Sequence, residues 1–198
     1  MRVSTHFKTC VYGAAMRGRL KKADWLRLGL RMLASEGPGA LKAASLAAKL
    51  GISRGSFYWH FRDIADFKSQ LLASWRARST DRVIRDLDAR RAEPDRLNDL
   101  LRRALGAKRD RLEEAVRRWA AEDNAVARAV AANDARRIAY IVRLLTESGA
   151  PSETARGRAT FLYWAYLGQA IVATPRHGAI SDAAIADVSD LFERRSGS

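Results

Sequence analysis

Apolar residues along this chain recur three and four positions apart with charged residues between them, and almost nowhere do they alternate. From about Lys22 to Ser35, Trp25, Leu28, Gly29, Met32 and Leu33 share one face, widened by Leu26 and Leu30, which predicts an amphipathic helix. The stretch "EGPGAL" ends it with two glycines and a proline. A short helix is predicted from about Lys42 to Leu50, burying Leu46, Ala47 and Leu50. Gly51 then supplies a tight turn, and Ser53 is a favourable N-cap for a third helix reaching about Trp59. Helix, glycine turn, short helix is the helix-turn-helix plan. Small Ala47 permits a close crossing, with Ile52 and Phe57 filling the space between the two helices.

A long helix follows from Ile64 to about Ala89, its core side marked by Phe67, Leu71, Leu72 and Trp75, until "RRAEPD" at 90–95 breaks it. Four further helical patterns are Asp95–Leu105, Lys108–Ala121, Asn124–Ser148 and Ser152–Ala173. In the third, Ile138, Ile141, Val142 and Leu145 keep helical rhythm until Gly149 and Pro151 stop it. "TPRHGAIS" at 174–181 reads as a loop. A last helix runs from Ser181 to about Arg194 through Ile185, Val188 and Phe192, before the tail "RSGS". The prediction is an all-α protein: a three-helix N-terminal domain joined by a long helix to a C-terminal helical domain. The expected division is a basic arm at 1–21, a helix-turn-helix domain at 22–72 and a second domain at 73–198.

Charge sharpens this division. Residues 1–80 carry 15 lysines and arginines against four acidic residues, net +11, whereas 81–198 carry 21 against 18, net +3. A strongly basic first part implies a polyanionic partner, because each neutralised phosphate releases condensed counterions. Met16 offers a second start within the basic arm. No apolar run approaches the roughly 20 residues of a bilayer crossing, so no membrane partner is expected and the chain reads as cytoplasmic. One cysteine, Cys10, forms no internal disulfide, and His6, His60 and His177 are scattered. No catalytic residue, cofactor or metal site is assigned.

The stretch "GISRGSFYWHF" at 51–61 carries the candidate chemistry. Ser53, Arg54, Gly55 and Ser56 present a hydroxyl, a guanidinium, bare backbone and another hydroxyl at a helix tip whose free N–H groups suit phosphate. Arg54 can reach guanine in a bidentate fashion, and Gly55 lets the chain approach a base edge or sugar. Tyr58 and His60 offer donors to phosphate, while Phe57 and Phe61 turn inward. Such a surface clamps a DNA backbone with amphipathic side chains and reads bases with its tip.

Residues 22–72, and above all "LAAKLGISRGSFYWHF" followed by a long helix, resemble the DNA-binding domain of TetR-family transcriptional regulators. The resemblance implies base or backbone contacts from Arg54, Gly55, Ser56 and Trp59, and phosphate contacts from Tyr58 and His60. The chain departs from the family pattern twice. Lys42 stands where a threonine usually opens the second helix, and in "FRDIAD" Ile64 stands where the family commonly has lysine. One phosphate anchor is thereby lost and Asp63 and Asp66 add repulsion, with Lys42, Lys49, Arg62 and the arm as compensation. Weaker non-specific affinity is expected.

Residues 82–198 resemble the family's ligand-binding and dimerisation domain in length and helix order, notably in "RRWAAEDNAVARAV" and "DARRIAYIVRLLTESGAP". The helix at 161–172, "FLYWAYLGQAIV", is apolar nearly all round, so one face belongs to the core and the other meets a second copy. Tyr166, Gly168, Ala170, Ile185, Val188 and Phe192 are the interface candidates, with Ala165 also allowing close approach. A small-molecule effector is implied, and Trp119, Asp123, Tyr140, Tyr163 and Trp164 are its candidate lining. The expected function is a sequence-specific homodimeric regulator, a repressor released from a palindromic operator in double-stranded DNA by that effector. An architectural DNA-coating or helical interaction protein, indifferent to any effector, is the rival.

Overall fold

The computed structural model describes residues 20–90, 95–105, 110–172 and 180–193, and every regular element among them is helical. The basic arm before Leu20, most of the predicted break at 90–95 and loop at 174–181, and the tail after Glu193 lie outside the described residues.

Three helices build the head. α1 (Lys22–Glu36) opens with Asp24 accepting the Lys21 backbone N–H at 2.9 Å. After a single turn at Pro38–Ala40, α2 (Ala43–Leu50) ends at Gly51, whose φ of 69° lies in the left-handed region that glycine enters without strain. α3 (Gly55–Tyr58) is shorter than the predicted 53–59. Ser53 does not cap it through its hydroxyl, which lies 3.3 Å from that of Ser56; Arg54 takes the N-cap position instead. Helical bonding nonetheless runs on, with Phe61 N–H donating to the Phe57 carbonyl at 3.1 Å.

The connecting helix has a defect that periodicity did not disclose. α4 (Ile64–Arg76), capped by Asp63 accepting from Asp66 N–H at 2.7 Å, passes into one wide π turn at Ala77–Asp81 and then α5 (Arg82–Asp88). Such turns hold an extra residue at the cost of poorer packing, and they favour functional positions. The remaining helices are α6 (Arg96–Leu105), α7 (Arg111–Ala120), α8 (Asn124–Glu147), α9 (Ser152–Leu167) continued by a wide turn to Val172, and α10 (Asp182–Glu193). Asp110 and Asp123 cap α7 and α8 by accepting from the N–H groups two and three residues on.

Two apolar cores result. The first gathers Trp25, Leu33, Phe57, Phe61, Phe67 and Trp75 of the head and connecting helix. It also takes Val116 and Trp119 of α7 and Val126 and Val130 of α8, because α7 lies along α1. The division drawn from sequence between 72 and 73 therefore passes through one continuous core. The second core joins Leu87, Leu97, Leu101, Leu144, Leu162 and Ile185 from α5, α6, α8, α9 and α10. Fully buried Ala155 and Ala159 let α9 lie close on α8.

Gly29 sets how close α1 comes to α4: a Cβ there would stand 2.6 Å from Phe67 Cζ and 2.9 Å from Leu71 Cδ1. Gly29→Ala should gain about 1 kcal/mol of helix propensity, yet lose more by overpacking, which costs roughly 1–3 kcal/mol. A thermal unfolding midpoint below wild type checks this, and one above it refutes the contact. On α8, Asn133 is fully buried and neither end of its amide meets a partner among the described residues. Asn133→Leu is expected to raise stability by about 1 kcal/mol in urea unfolding, since an unsatisfied buried amide is destabilising.

Candidate nucleic-acid interface and interior cavity

The head sorts the rings of 57–61 by position. Phe57 and Phe61 are sealed in the core, centroids 5.0 Å apart, with Trp25 edge-on to Phe57 at 5.5 Å. Their burial fixes the outward rings: Tyr58 is 48 % exposed and Trp59 is 83 % exposed. An indole this exposed adds little to the stability of the scaffold that carries it. Arg54 Nη2 donates to the Tyr58 hydroxyl at 3.1 Å, and its guanidinium lies 5.8 Å from that ring's centroid. The guanidinium is thus held near the tip without an acidic partner among the described residues. His60 is half-buried, 6.3 Å from both Trp25 and Phe61. Ser53, Gly55 and exposed Lys42 open to solvent, and Ser56 is half-buried beside Ser53.

The two acidic residues expected to repel phosphate have internal duties. Asp63 caps α4, and Asp66 accepts from the Arg62 backbone N–H at 3.1 Å and from Gln70 Nε2 at 2.9 Å. The Gln70 hydrogen bond, followed by that from the Arg62 backbone, holds the Asp66 carboxyl below its usual pKa. Ile64 packs against the first core. Lys49 pairs with Glu36 at 2.6 Å, so it is a weaker compensating cation than Lys42.

The lining residues expected for one effector pocket separate into three places. Tyr140 and Tyr163 do line one cavity, of about 90 Å³ and partly open to solvent, between α5, α6, α8 and α9. Trp119 and Asp123 belong instead to a groove of about 390 Å³ between α4 and the α7–α8 corner, where Trp119 is covered by Lys68 at 5.6 Å and Asp123 caps α8. Trp164 lines neither; it is 65 % exposed on the outer face of α9.

Beside the small cavity lies a charged cluster that the sequence reading missed. Arg137 donates to both oxygens of fully buried Glu113 at 3.1 Å, and to Ser79 and Thr80 of the wide turn at 3.1 and 2.8 Å. Arg117 reaches Glu113 at 2.9 Å and Asp134 at 2.7 and 3.0 Å. The Tyr163 hydroxyl donates to Asp134 at 2.6 Å and accepts from Arg117 at 2.7 Å. Burial works against the charge on Arg137, but the Glu113 carboxylate outweighs it and raises the pKa above the ordinary arginine value. Burial, aided by Asp88, pushes Tyr140 up to about 12, so it stays a neutral hydroxyl donating to Asp88 at 3.1 Å. The missed signal was positional: Arg137 continues the buried α8 stripe of Val126, Val130 and Asn133, a place where a lone charge has to be paired.

The interface candidates also divide. Tyr166 faces the cavity, Ala170 and Ile185 are buried in the protomer, and Val188 and Phe192 pack partly on the second core. Of the six, Gly168 is exposed. The outward apolar surface is Phe161 and Trp164 with Ala165 and Gly168 on α9, and Leu191 on α10, with Phe192 stacked on Phe161 at 5.7 Å. Tyr166 thus lines the cavity and Trp164 stands in solvent, the reverse of the sides expected for them. Two residues along a helix is a rotation of about 200°, so an error in phase turns an inward side chain outward.

Residues 26–69 match the sequence profile described as "Bacterial regulatory proteins, tetR family". The crystal structure of Mycobacterium smegmatis AmtR superposes on the chain with a TM-score of 0.52, covering 92 % of this chain and 91 % of that one at 15 % identity, a likeness of fold. No curated protein matches by sequence. No helix among the described residues is long and apolar enough to cross a membrane, and they hold no cluster of metal-ligating side chains.

The sorting of rings makes opposed mutational outcomes. Trp59→Ala should leave stability within about 0.5 kcal/mol while weakening duplex binding, whereas Phe57→Ala should cost about 3–5 kcal/mol. Arg54→Ala should relax preference between duplexes by roughly 1–3 kcal/mol in competition binding, with little change in unfolding.

Proposed function

We propose that this TetR-family regulator works as a homodimeric repressor, holding a palindromic DNA site until a small molecule occupies the interior cavity and releases it. The observation that carries the reading is the tip itself: Arg54, Tyr58 and Trp59 stand in solvent on a head whose Trp25, Phe57, Phe61 and Phe67 are buried. Arg54 and Ser56 are the proposed base readers. Tyr58, His60, Ser53 and Lys42 are the proposed backbone contacts, with Gly55 giving close approach.

The apolar outer face of α9 supports pairing of two chains. Phe161, Trp164 and Leu191 are 60, 65 and 55 % exposed and Phe192 stacks on Phe161, apolar surface on α9 and α10 that pairing would cover. Pairing through α9 and α10 gives two heads, which read a palindrome when their tips lie about one DNA turn, ~34–36 Å, apart.

For release, the wide turn and α5 form one wall of the cavity through Thr80, Val83 and Ile84, on the same connecting helix that begins beneath the head. A ligand there favours whichever pose of that helix binds it better, and the separation of the heads follows. Only unequal affinity for the two poses drives the shift.

Selection from a random duplex pool at moderate salt tests the reading. A recovered inverted repeat with half-sites one turn apart is the expected result; equal binding to every duplex would instead mark an architectural DNA-coating protein. Trp164→Glu is expected to yield folded monomers in sedimentation, because the site is exposed, and to lose about tenfold or more in operator affinity.

A further inference from the structure

We infer that the interior cavity takes a small, uncharged, mainly apolar molecule and rejects anions, although an arginine forms part of its wall. The inference rests on the effector reading above for its biological meaning, but concerns only what the cavity binds.

Most of the wall is hydrocarbon: Val83, Ile84, Leu100, Leu101, Ile141 and Leu162. Its one cation among the described residues, Arg137, has every N–H engaged. Nε donates to Thr80 at 2.8 Å; Nη1 donates to Glu113 at 3.1 Å and Tyr163 at 3.4 Å; Nη2 donates to Ser79 and Glu113, each at 3.1 Å. The two faces of the guanidinium are covered as well, by Trp75 at 5.5 Å and Tyr166 at 5.4 Å. A guanidinium has five donors, so none remains for a ligand carboxylate.

The surrounding charges balance. Arg117 and Arg137 face Glu113 and Asp134, and each arginine is bonded to a carboxylate. A carboxylate ligand gains Arg137 only by displacing Glu113, which is fully buried and would then lack one of its cations. Breaking such a pair is unfavourable because the abandoned charge stays buried. The lining hydroxyls are similarly directed away: Tyr140 donates to Asp88 and Tyr163 to Asp134. Tyr166 is the lining tyrosine without a hydrogen-bond partner among the described residues, leaving room for one polar contact. The volume of about 90 Å³ limits size. An enclosed apolar cavity of roughly 150 Å³ accepts benzene, so here a single small ring fits only with part of it in the open side of the pocket, and nothing larger is held.

The test compares phenol, benzoate and benzylammonium, one ring with three charges, by calorimetry on the full-length protein at neutral pH. Saturable binding of phenol, with both ions about tenfold weaker or more, is expected. Benzoate binding as tightly as phenol, or phenol failing to saturate, overturns the inference. Glu113→Gln removes the balancing charge and should raise benzoate affinity about tenfold, an effect that mere loosening of the fold would not give. Unchanged preference for phenol in a folded Glu113→Gln protein also overturns it. Should that variant not fold, Ala104→Leu narrows the cavity and should weaken phenol about tenfold, and unaltered phenol affinity again counts against the site. DNA affinity is measured separately with and without phenol. Binding that leaves DNA affinity untouched keeps the ligand class and removes the effector-release reading.

Discussion

Arg137 is a cation with little access to water, clasped between Trp75 of the first apolar core and Tyr166 at the edge of the second. It carries bonds to α7 through Glu113, to the wide turn of the connecting helix through Ser79 and Thr80, and to α9 through Tyr163. Three helices and two cores therefore share one guanidinium. A charge in this position tolerates few arrangements, since each bond lost leaves a desolvated group unpaired. The wide turn places Ser79 and Thr80 within reach of Arg137, at 3.1 and 2.8 Å. The geometry of the connecting helix, and with it the place of the head, depends on this junction.

Head and cavity are mechanically adjacent as a consequence. The connecting helix starts at Ile64, packed on the first core, and its wide turn and α5 wall the cavity at Thr80, Val83 and Ile84. Because α7 also belongs to the first core, the head is gripped from two sides rather than swinging on a single hinge. A change at Glu113 is then felt on the helix that lies along α1.

Burial at the tip works in the opposite sense. Phe57, Phe61 and Trp25 are sealed so that Tyr58 and Trp59 have nowhere to go but outward. The same division appears on α9, where Leu162 and Tyr163 turn inward and Phe161 and Trp164 stand in solvent. In both places a run of aromatic residues makes two surfaces, one that holds the protein together and one available to a partner.

The amino-acid sequence determined the helices, their order and the tip at 53–59, because these follow from local chemistry: three-and-four spacing, glycine and proline stops, and a dense motif at 51–61. Only tertiary structure decided which face of each helix is inside. The phase of α9 put Tyr166 inside and Trp164 outside, since an apolar residue reads alike whether it fills a core or stands in solvent. Trp119 and Asp123 parted from Tyr140 and Tyr163 because a shared cavity is a relation between helices, not a property of any one of them. The Arg137 cluster was hidden for the same reason. Glu113 and Thr80 lie 24 and 57 residues from it in the chain, and Asp134 lies 17 from its partner Arg117. Pairing of buried charge across such separations exists only once the helices have packed.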